Sequence, residues 1–415
     1  MIEHYFSRMS VVARCRLGPL APYLDDFATT LQQQGYKPDN IRVFLRACGQ
    51  FSQWLAQQEK IVTDVDETVI ERYISSLPQP PSGRRPKAAL GLPHLLRFLR
   101  HHDILPVPPC PRPLTETERW LQSYEQYLEQ VRGVVASTRT PYLRMAKRFL
   151  AACFNSDHLD WQSLRAQAIM DFVRQEAATK HGGGRKLPSV AVRSLLRFLV
   201  CSAGLSPGLE AAVPTPRQWM HATLPQGLTA EEVGQALATC AGDRAKDLRN
   251  HAILMVLARL GLRAHAVTAL CLEDIDWHES RLIVRPGKTH HERVLPLVHD
   301  VGHTLATYLR WGRPTTTSRV VFLHCRAPYL PFRDAAAISR IASRALQRAG
   351  VCERPRLGAH AFRHAAASHM VNKGASFKEV ADVLGHQSLQ TTGIYAKLDL
   401  ETLAPVALPW MGEVS

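Results

Sequence analysis

The sequence predicts a mainly α-helical protein with two N-terminal helical bundles and a mainly α C-terminal domain that contains a small β-hairpin. Apolar residues recur at helical spacing through most of the 415 residues, and proline-rich segments divide the chain into three parts. One pair of short β-branched runs flanks a glycine-containing turn. Because 46% of the residues are hydrophobic, each part can bury a core of its own. We predict domains at residues 1–106, 114–206 and 223–415.

Prolines mark both boundaries. Residues 106–113 read PVPPCPRP, which neither a helix interior nor a central strand tolerates. A looser break runs from Gly204 to Gly227 and contains several further prolines. These segments are expected to connect domains.

The two N-terminal parts resemble each other in sequence. LLRFL occurs at residues 95–99 and again at 195–199, and the segment from Gly35 to Phe51 parallels that from Gly133 to Phe149 at an offset of 98 residues. The similarity indicates a repeated unit of roughly four helices. Six basic residues on these helices are candidates for phosphate contacts, although an ordinary solvated helix face is the alternative for each: Arg42, Arg46, Lys147, Arg148, Arg193 and Arg197.

Local signals also predict the elements of the C-terminal part. Thr229 and Ser376 each begin a capping-box pattern, and glycines at 261 and 385 are natural helix ends. Residues 281–285 and 292–296 read as two strands of a hairpin with Lys288 near its tip. The tip would carry a lysine toward a neighbouring site.

Charge and cysteine content restrict the class of protein. Lys and Arg outnumber Asp and Glu by 51 to 36, a formal charge of +15 that favours a polyanionic partner. Nine cysteines without CxxC pairing favour neither a disulfide framework nor a zinc ribbon. No segment resembles a signal peptide or a membrane span. We expect a cytoplasmic protein associated with the nucleoid and not with a membrane.

Six residues with chemically useful side chains occur in order over the last third of the chain. They lie in the contexts GLR at 261–263, PGKTHH at 286–291, HAFRH at 360–364, LGH at 384–386 and TTGIY at 391–395. The residues are Arg263, Lys288, His360, Arg363, His386 and Tyr395. Each match alone is weak, since a histidine and an arginine at helical spacing are usually a surface pair. The ordered combination is specific.

Together these segments resemble the tyrosine recombinases, also called the phage integrase family. The resemblance covers residues 223–397 well and the second bundle loosely. It implies a catalytic domain at 223–415, a SAM-like core-binding domain at 114–206 and an additional DNA-binding bundle at 1–106. The three would form a C-shaped clamp on double-stranded DNA.

The resemblance also implies a role for each of the six residues. Arg263 and Arg363 would neutralise the phosphate, because a guanidinium can hold two phosphate oxygens and stays charged. His360 and His386 would donate further hydrogen bonds, and Lys288 would be the general acid. Tyr395 would be the nucleophile and form a 3′-phosphotyrosine, so the reaction needs no ATP, metal or other cofactor.

Two details qualify the match. The family commonly has an acidic residue three positions after the first arginine, where this chain has Ala266. That places the positioning of the arginine and the folding of this part in question. His265 would be a partial substitute, and an ordinary exposed helix residue is the alternative. The pairs His360 with His364 and His290 with His291 could suggest zinc, but no cysteine or carboxylate cluster accompanies them, so we expect no metal site.

The sequence thus predicts a site-specific DNA recombinase or integrase that serves a mobile element, by integration or transposition, and acts as a homotetramer on paired DNA sites. Whether partner recombinases take part stays open. Two alternatives are a type IB topoisomerase-like enzyme, which would use similar residues as a monomer, and a catalytically silent DNA-binding paralogue.

Overall fold

The computed structural model describes residues 1–78, 86, 89–105, 114–154, 158–179, 182–215, 227–285, 292–352 and 357–385. These residues are mainly helical, with one small antiparallel sheet, which confirms the predicted fold class. The proline connector at 106–113 and residues 216–226 of the second break lie outside the described residues. Contacts divide the chain into one unit of Met1–Pro106 with Thr223–Ser415 and a second of Val107–Ala222. No helix in the described ranges is long and apolar enough to span a membrane.

The first bundle is built around its own hydrophobic core. Fully buried Phe27, Leu45, Phe51 and Leu99 lie at its centre. Its described part has five α-helices instead of the roughly four predicted, because a short helix precedes the repeated unit. The helices are α1 (Met9–Cys15), α2 (Leu24–Gln33), α3 (Pro38–Gln57), α4 (Glu67–Ser76) and α5 (Leu92–His101).

The second bundle also has its own core. Tyr124, Phe149, Val173 and Leu196 are among its fully buried residues. Its helices are α6 (Glu116–Gln126), α7 (Ala136–Cys153), α8 (Ala166–Ala178) and α9 (Lys186–Ser202).

Equivalent positions of the sequence repeat have equivalent environments. Helices α3 and α7 begin 98 residues apart, at Pro38 and Ala136, the offset of the repeat. Gly35 and Gly133 precede them with φ values of +79° and +58°, which only glycine adopts without strain. The LLRFL segments bury the same four positions: Leu95, Leu96, Phe98 and Leu99 in α5, and Leu195, Leu196, Phe198 and Leu199 in α9. The apolar pattern therefore specifies the same packing twice.

The C-terminal part contains seven described helices and the sheet. The helices are α10 (Ala230–Ala238), α11 (Ala245–Leu260), α12 (Ala264–Ala269), α13 (His299–Thr307), α14 (Ala335–Arg348), α15 (Ala359–Asn372) and α16 (Phe377–Leu384). The strands are β1 (Ile275–Asp276), β2 (Arg281–Val284) and β3 (Arg293–Pro296), in the order β1-β2-β3. The largest hydrophobic core among the described residues lies here, with α11, more than half of whose residues are buried, at its centre.

The helix signals in this part are confirmed. Thr229 and Ser376 accept hydrogen bonds from the backbone N–H three residues later, at 3.1 and 3.3 Å, and so begin α10 and α16. Gly261 and Gly385 end α11 and α16 in the left-handed conformation, with φ of +59° and +62°. These two glycines fix where the chain leaves each helix.

The predicted hairpin strands are also present, each one residue shorter than expected. In the antiparallel register Leu282 lies opposite Leu295 and Val284 opposite Arg293. Strand β1, which pairs with β2, was not predicted, because two residues carry too little pattern to recognise. The connection at 286–291, with Lys288, lies outside the described residues.

Candidate active site

Arg263 and Arg363 meet at the C-terminal end of α16, although 100 residues separate them in sequence. Arg263 donates from Nη1 to the carbonyl of Leu384 at 3.4 Å and from Nη2 to that of Gly385 at 3.0 Å. Arg363 donates from Nη2 to the same Leu384 carbonyl at 2.7 Å and from Nη1 to the Gly261 carbonyl at 2.6 Å. A shared acceptor thus holds the two guanidinium groups beside each other.

The end of α11 explains how Arg263 reaches this position. Left-handed Gly261 turns the chain so that Arg263 becomes the N-cap of α12. A Cβ on Gly261 would lie 2.6 Å from Leu384 Cδ2, so a larger residue here would displace the Leu384 side chain as well as strain the left-handed backbone. The GLR segment therefore contributes twice: Gly261 lets the helices pack, and Arg263 joins the site.

A third arginine, which the sequence did not single out, lies at the same place. Arg293, the first residue of β3, donates from Nη1 to the carbonyl of Val383 at 2.5 Å. Burial lowers the pKa of the Arg293 guanidinium from its ordinary value, and the nearby positive charge of Arg263 lowers it further. Burial also lowers the pKa of Arg263. We call Arg263, Arg293 and Arg363 the arginine cluster.

Backbone carbonyls at two helix ends compensate this concentration of positive charge. The acceptors are Val383, Leu384 and Gly385 at the end of α16, and Gly261 at the end of α11. Helix C-termini carry partial negative charge and unsatisfied carbonyls, and so stabilise nearby cations. Within the described ranges, neither Arg263 nor Arg293 forms an ion pair with a carboxylate. The site is a cationic surface suited to an anion.

His360 and Arg363 both lie on α15 but differ in burial. Arg363 is 3% exposed, whereas His360 is exposed and its ring contacts that of His364 edge-on, with the centroids 5.0 Å apart. Ala365, Ala366 and Ala367 of the same helix are buried.

The remaining three predicted site residues, Lys288, His386 and Tyr395, lie outside the described residues. Gly385, which the arginine cluster contacts, immediately precedes His386 in the sequence. The described part of the site therefore contains Arg263, His360 and Arg363, and the roles of all six residues stay predictions.

The six basic residues proposed for the bundles have two kinds of environment. Three are held by other parts of the protein: Arg42 by the Tyr5 carbonyl and Asp39, Arg148 by the buried carboxylate of Glu176, and Arg193 by the Val213 carbonyl and Thr215. Arg46, Lys147 and Arg197 are exposed. These latter three are better placed for a phosphate backbone, although Arg46 also lies over the Phe6 ring.

Ala266 occupies the third position of α12 and packs partly buried against the core, while His265 is exposed. An acid at 266 would lie in the first helical turn, near the positive end of the helix and the N-cap residue Arg263. Its absence removes a favourable charge interaction.

Restoring the acid should therefore stabilise the protein. We expect Ala266→Glu to raise the free energy of unfolding by about 0.3–1 kcal/mol over that of Ala266→Gln, which has the same shape without the charge. Urea denaturation of both variants measures the difference. Equal stability would show that the charge at this position is not favourable.

The described ranges contain no group of three or more His, Cys, Asp or Glu side chains arranged to hold a metal ion. His290 and His291 are outside these ranges.

Comparison with known proteins identifies the family. The model of the phage integrase family matches residues 226–401. The chain is 35% identical to the putative integrase/recombinase y4rA of Sinorhizobium fredii, over 99% of this chain and 100% of that protein. The chain belongs to the tyrosine recombinase (phage integrase) family. It is also 30% identical to the tyrosine recombinase XerD of Mycobacterium tuberculosis, over 70% of this chain and 96% of that protein.

A solved structure supports the same fold. The lambda integrase tetramer bound to a Holliday junction aligns with 76% of this tyrosine recombinase and 90% of that chain, with a TM-score of 0.54 and 17% identity. Members of the family are enzymes that cleave and rejoin DNA. The arginine cluster lies within the segment that the family model matches.

Proposed function

We propose that this protein is a site-specific DNA recombinase that serves a mobile element and cleaves DNA through Tyr395. The observation that carries the proposal is the convergence of Arg263 and Arg363 on the Leu384 carbonyl, two residues before His386. Two rigidly held guanidinium groups form a receptor for one phosphate. Family membership supports the phosphate being that of a DNA backbone.

Cleavage proceeds by transfer of a phosphodiester to the enzyme. The Tyr395 phenolate oxygen attacks phosphorus, a 3′-phosphotyrosyl bond forms, and the bond from phosphorus to the 5′ oxygen breaks. Lys288 gives a proton to the leaving 5′ oxygen, which departs as a hydroxyl. Attack by a 5′ hydroxyl of the partner strand reverses these steps, so the bond energy is conserved for rejoining.

The arginine pair stabilises the charge that develops on the phosphorane oxygens. Because each side chain is held by backbone carbonyls, little reorganisation is needed when the transition state forms. Arg263 is partly exposed and its guanidinium has N–H groups on three nitrogens, so it has donors for a phosphate besides those fixed to the backbone. His360 and His386 supply the remaining hydrogen bonds.

Double-stranded DNA is the proposed partner, bound by a homotetramer on paired sites. A net charge of +15 and the exposed Arg46, Lys147 and Arg197 suit contacts with the phosphate backbone. Such contacts give affinity, while base contacts and DNA shape give site choice. The DNA-bound assemblies of lambda integrase provide the precedent for a tetramer.

Covalent capture from genomic DNA tests the proposal. The full-length protein is incubated with fragmented DNA of its host, denatured with SDS and precipitated, and the attached fragments are sequenced. Recovery of a few defined sites supports a recombinase. Adducts spread over unrelated DNA would instead indicate a topoisomerase-like enzyme, and footprints without adducts would indicate a silent paralogue.

Removing the first bundle should change DNA binding more than chemistry. Because residues 1–105 have a separate core, we expect the deletion variant to remain folded and to form the covalent adduct. Its footprint should shorten, and the plot of log affinity against log salt should become shallower as phosphate contacts are lost. Footprinting and a salt titration measure both.

A point variant serves as the control for this deletion. Arg46→Gln removes one exposed charge from α3 and should reduce the salt slope by less than the deletion does. An unchanged footprint and slope after deletion would show that this bundle does not bind DNA.

A further inference from the structure

We propose that Arg293 is a positioning residue for DNA cleavage, which ties strand β3 to the end of α16. The proposal rests on the proposed function, because it assigns Arg293 a role in that reaction. Arg293 itself need not touch the DNA. Its effect is to hold together two chain segments that lead into predicted catalytic residues.

The first segment is the end of α16. The Arg293 Nη1 donates to the Val383 carbonyl at 2.5 Å, and a Cβ on Gly385 would lie 2.7 to 2.8 Å from the Arg293 Nε, Cδ and Cζ atoms. The flat guanidinium therefore covers Gly385 at van der Waals distance. Since Gly385 bonds covalently to His386, a shift of this turn moves the backbone that carries the histidine.

The second segment is the hairpin connection at 286–291. It leaves the sheet after Arg285, whose Nε donates at 2.6 Å to the Asp274 carboxylate, which is buried at 3% exposure. It re-enters at Arg293, which lies opposite Val284, the last residue of β2. Ion pairing holds one side of the connection, and Arg293 holds the other. Lys288 lies between these two anchors in sequence.

A contribution to folding stability does not by itself explain an arginine at position 293. The side chain is partly buried beside the positive charge of Arg263, and both burial and that charge disfavour its charged form. Its hydrogen bond to a helix-end carbonyl offsets part of this cost. The arrangement does connect strand β3 to the end of α16, whose carbonyls also hold Arg263 and Arg363. Reactions that depend on such alignment lose rate sharply when it is disturbed.

The test is single-turnover cleavage of a nicked DNA substrate that contains a site recovered by covalent capture. Full-length Arg293→Gln and Arg293→Lys are compared with wild type and with Arg281→Gln. Arg281 lies in the same sheet but is 51% exposed and pairs with Asp276 at the surface, which makes it the matched control. Adduct rate, adduct amplitude and DNA affinity are all measured.

We expect Arg293→Gln to lower the adduct rate by about 10- to 100-fold at full amplitude and with DNA affinity close to wild type. The adduct rate of Arg293→Lys should lie between those of wild type and Arg293→Gln, since lysine restores one hydrogen-bond donor without the flat guanidinium. Arg281→Gln should match wild type. A lower adduct amplitude for Arg293→Gln at an unchanged adduct rate would overturn the proposal, because it would mean only that a smaller fraction of the variant is folded. If Arg293→Gln does not fold, Arg293→Lys decides the question. A wild-type adduct rate for Arg293→Lys, together with reduced folding stability, would also overturn the proposal.

The experiment tests the proposed function and the role of Arg293 separately. If wild type forms no adduct on any captured site, the proposed function is wrong and the role of Arg293 with it. If wild type forms the adduct and Arg293→Gln reacts at the same rate, only the role of Arg293 is wrong.

Discussion

Tyr395→Phe is expected to bind DNA as wild type does and to form no covalent adduct. The substitution removes only the phenolic oxygen, so shape and charge are kept while the proposed nucleophile is lost. On a nicked substrate that traps the cleaved state, wild type should give an SDS-resistant complex that electrophoresis detects. The mutant should give none, the largest effect among these predictions.

Tyr329→Phe is the matched control, since Tyr329 lies in the same part of the chain and its hydroxyl donates to the Gly35 carbonyl at 3.2 Å. It should form the adduct normally. EDTA should leave the wild-type rate unchanged, because arginines and lysine supply the charge stabilisation. An adduct from Tyr395→Phe would refute the nucleophile assignment, and a requirement for a divalent cation would refute the mechanism.

Arg363→Ala is expected to impair both the chemistry and the fold. Loss of one donor to a developing oxyanion commonly costs about 10²–10³ in rate. The Gly261 carbonyl would also lose a buried donor, at roughly 1–3 kcal/mol if it is left unsatisfied, whereas the Leu384 carbonyl keeps its longer hydrogen bond from Arg263. Cleavage rate and urea denaturation measure the two effects independently.

Arg363→Lys separates charge from geometry. Lysine keeps the charge but lacks the planar group that reaches the Gly261 and Leu384 carbonyls together, so we expect it to remain slow. Arg259→Ala is the control, because Arg259 is 52% exposed and its pair with Asp300 at 2.9 Å is a surface interaction. If Arg363→Lys cleaved as fast as wild type, paired hydrogen bonding would not be the function of Arg363.

Local signals in the sequence were sufficient for most of the secondary structure. The capping boxes at Thr229 and Ser376 and the glycines at 261 and 385 involve groups within one helical turn of each other, so four-residue patterns reveal them. The LLRFL repeat likewise indicated two related bundles, and the structure buries the same four of its positions in both. Five elements were not predicted individually: α12, α13 and α14 in the C-terminal part, and α1 and β1, of which β1 spans too few residues to show a period.

The sequence by itself determined the fold class, the family and the order of the candidate catalytic residues. Only the tertiary structure decided which side chains meet. Arg293 gave no signal of its own, because its importance comes from Val383 and Gly385, about 90 residues away, and from Arg263 on another element. The burial of Arg363 beside an exposed His360 was also invisible to helical spacing. Spacing fixes neighbours along one helix, whereas the packing of α11, α15, α16 and the sheet determines which of them are enclosed.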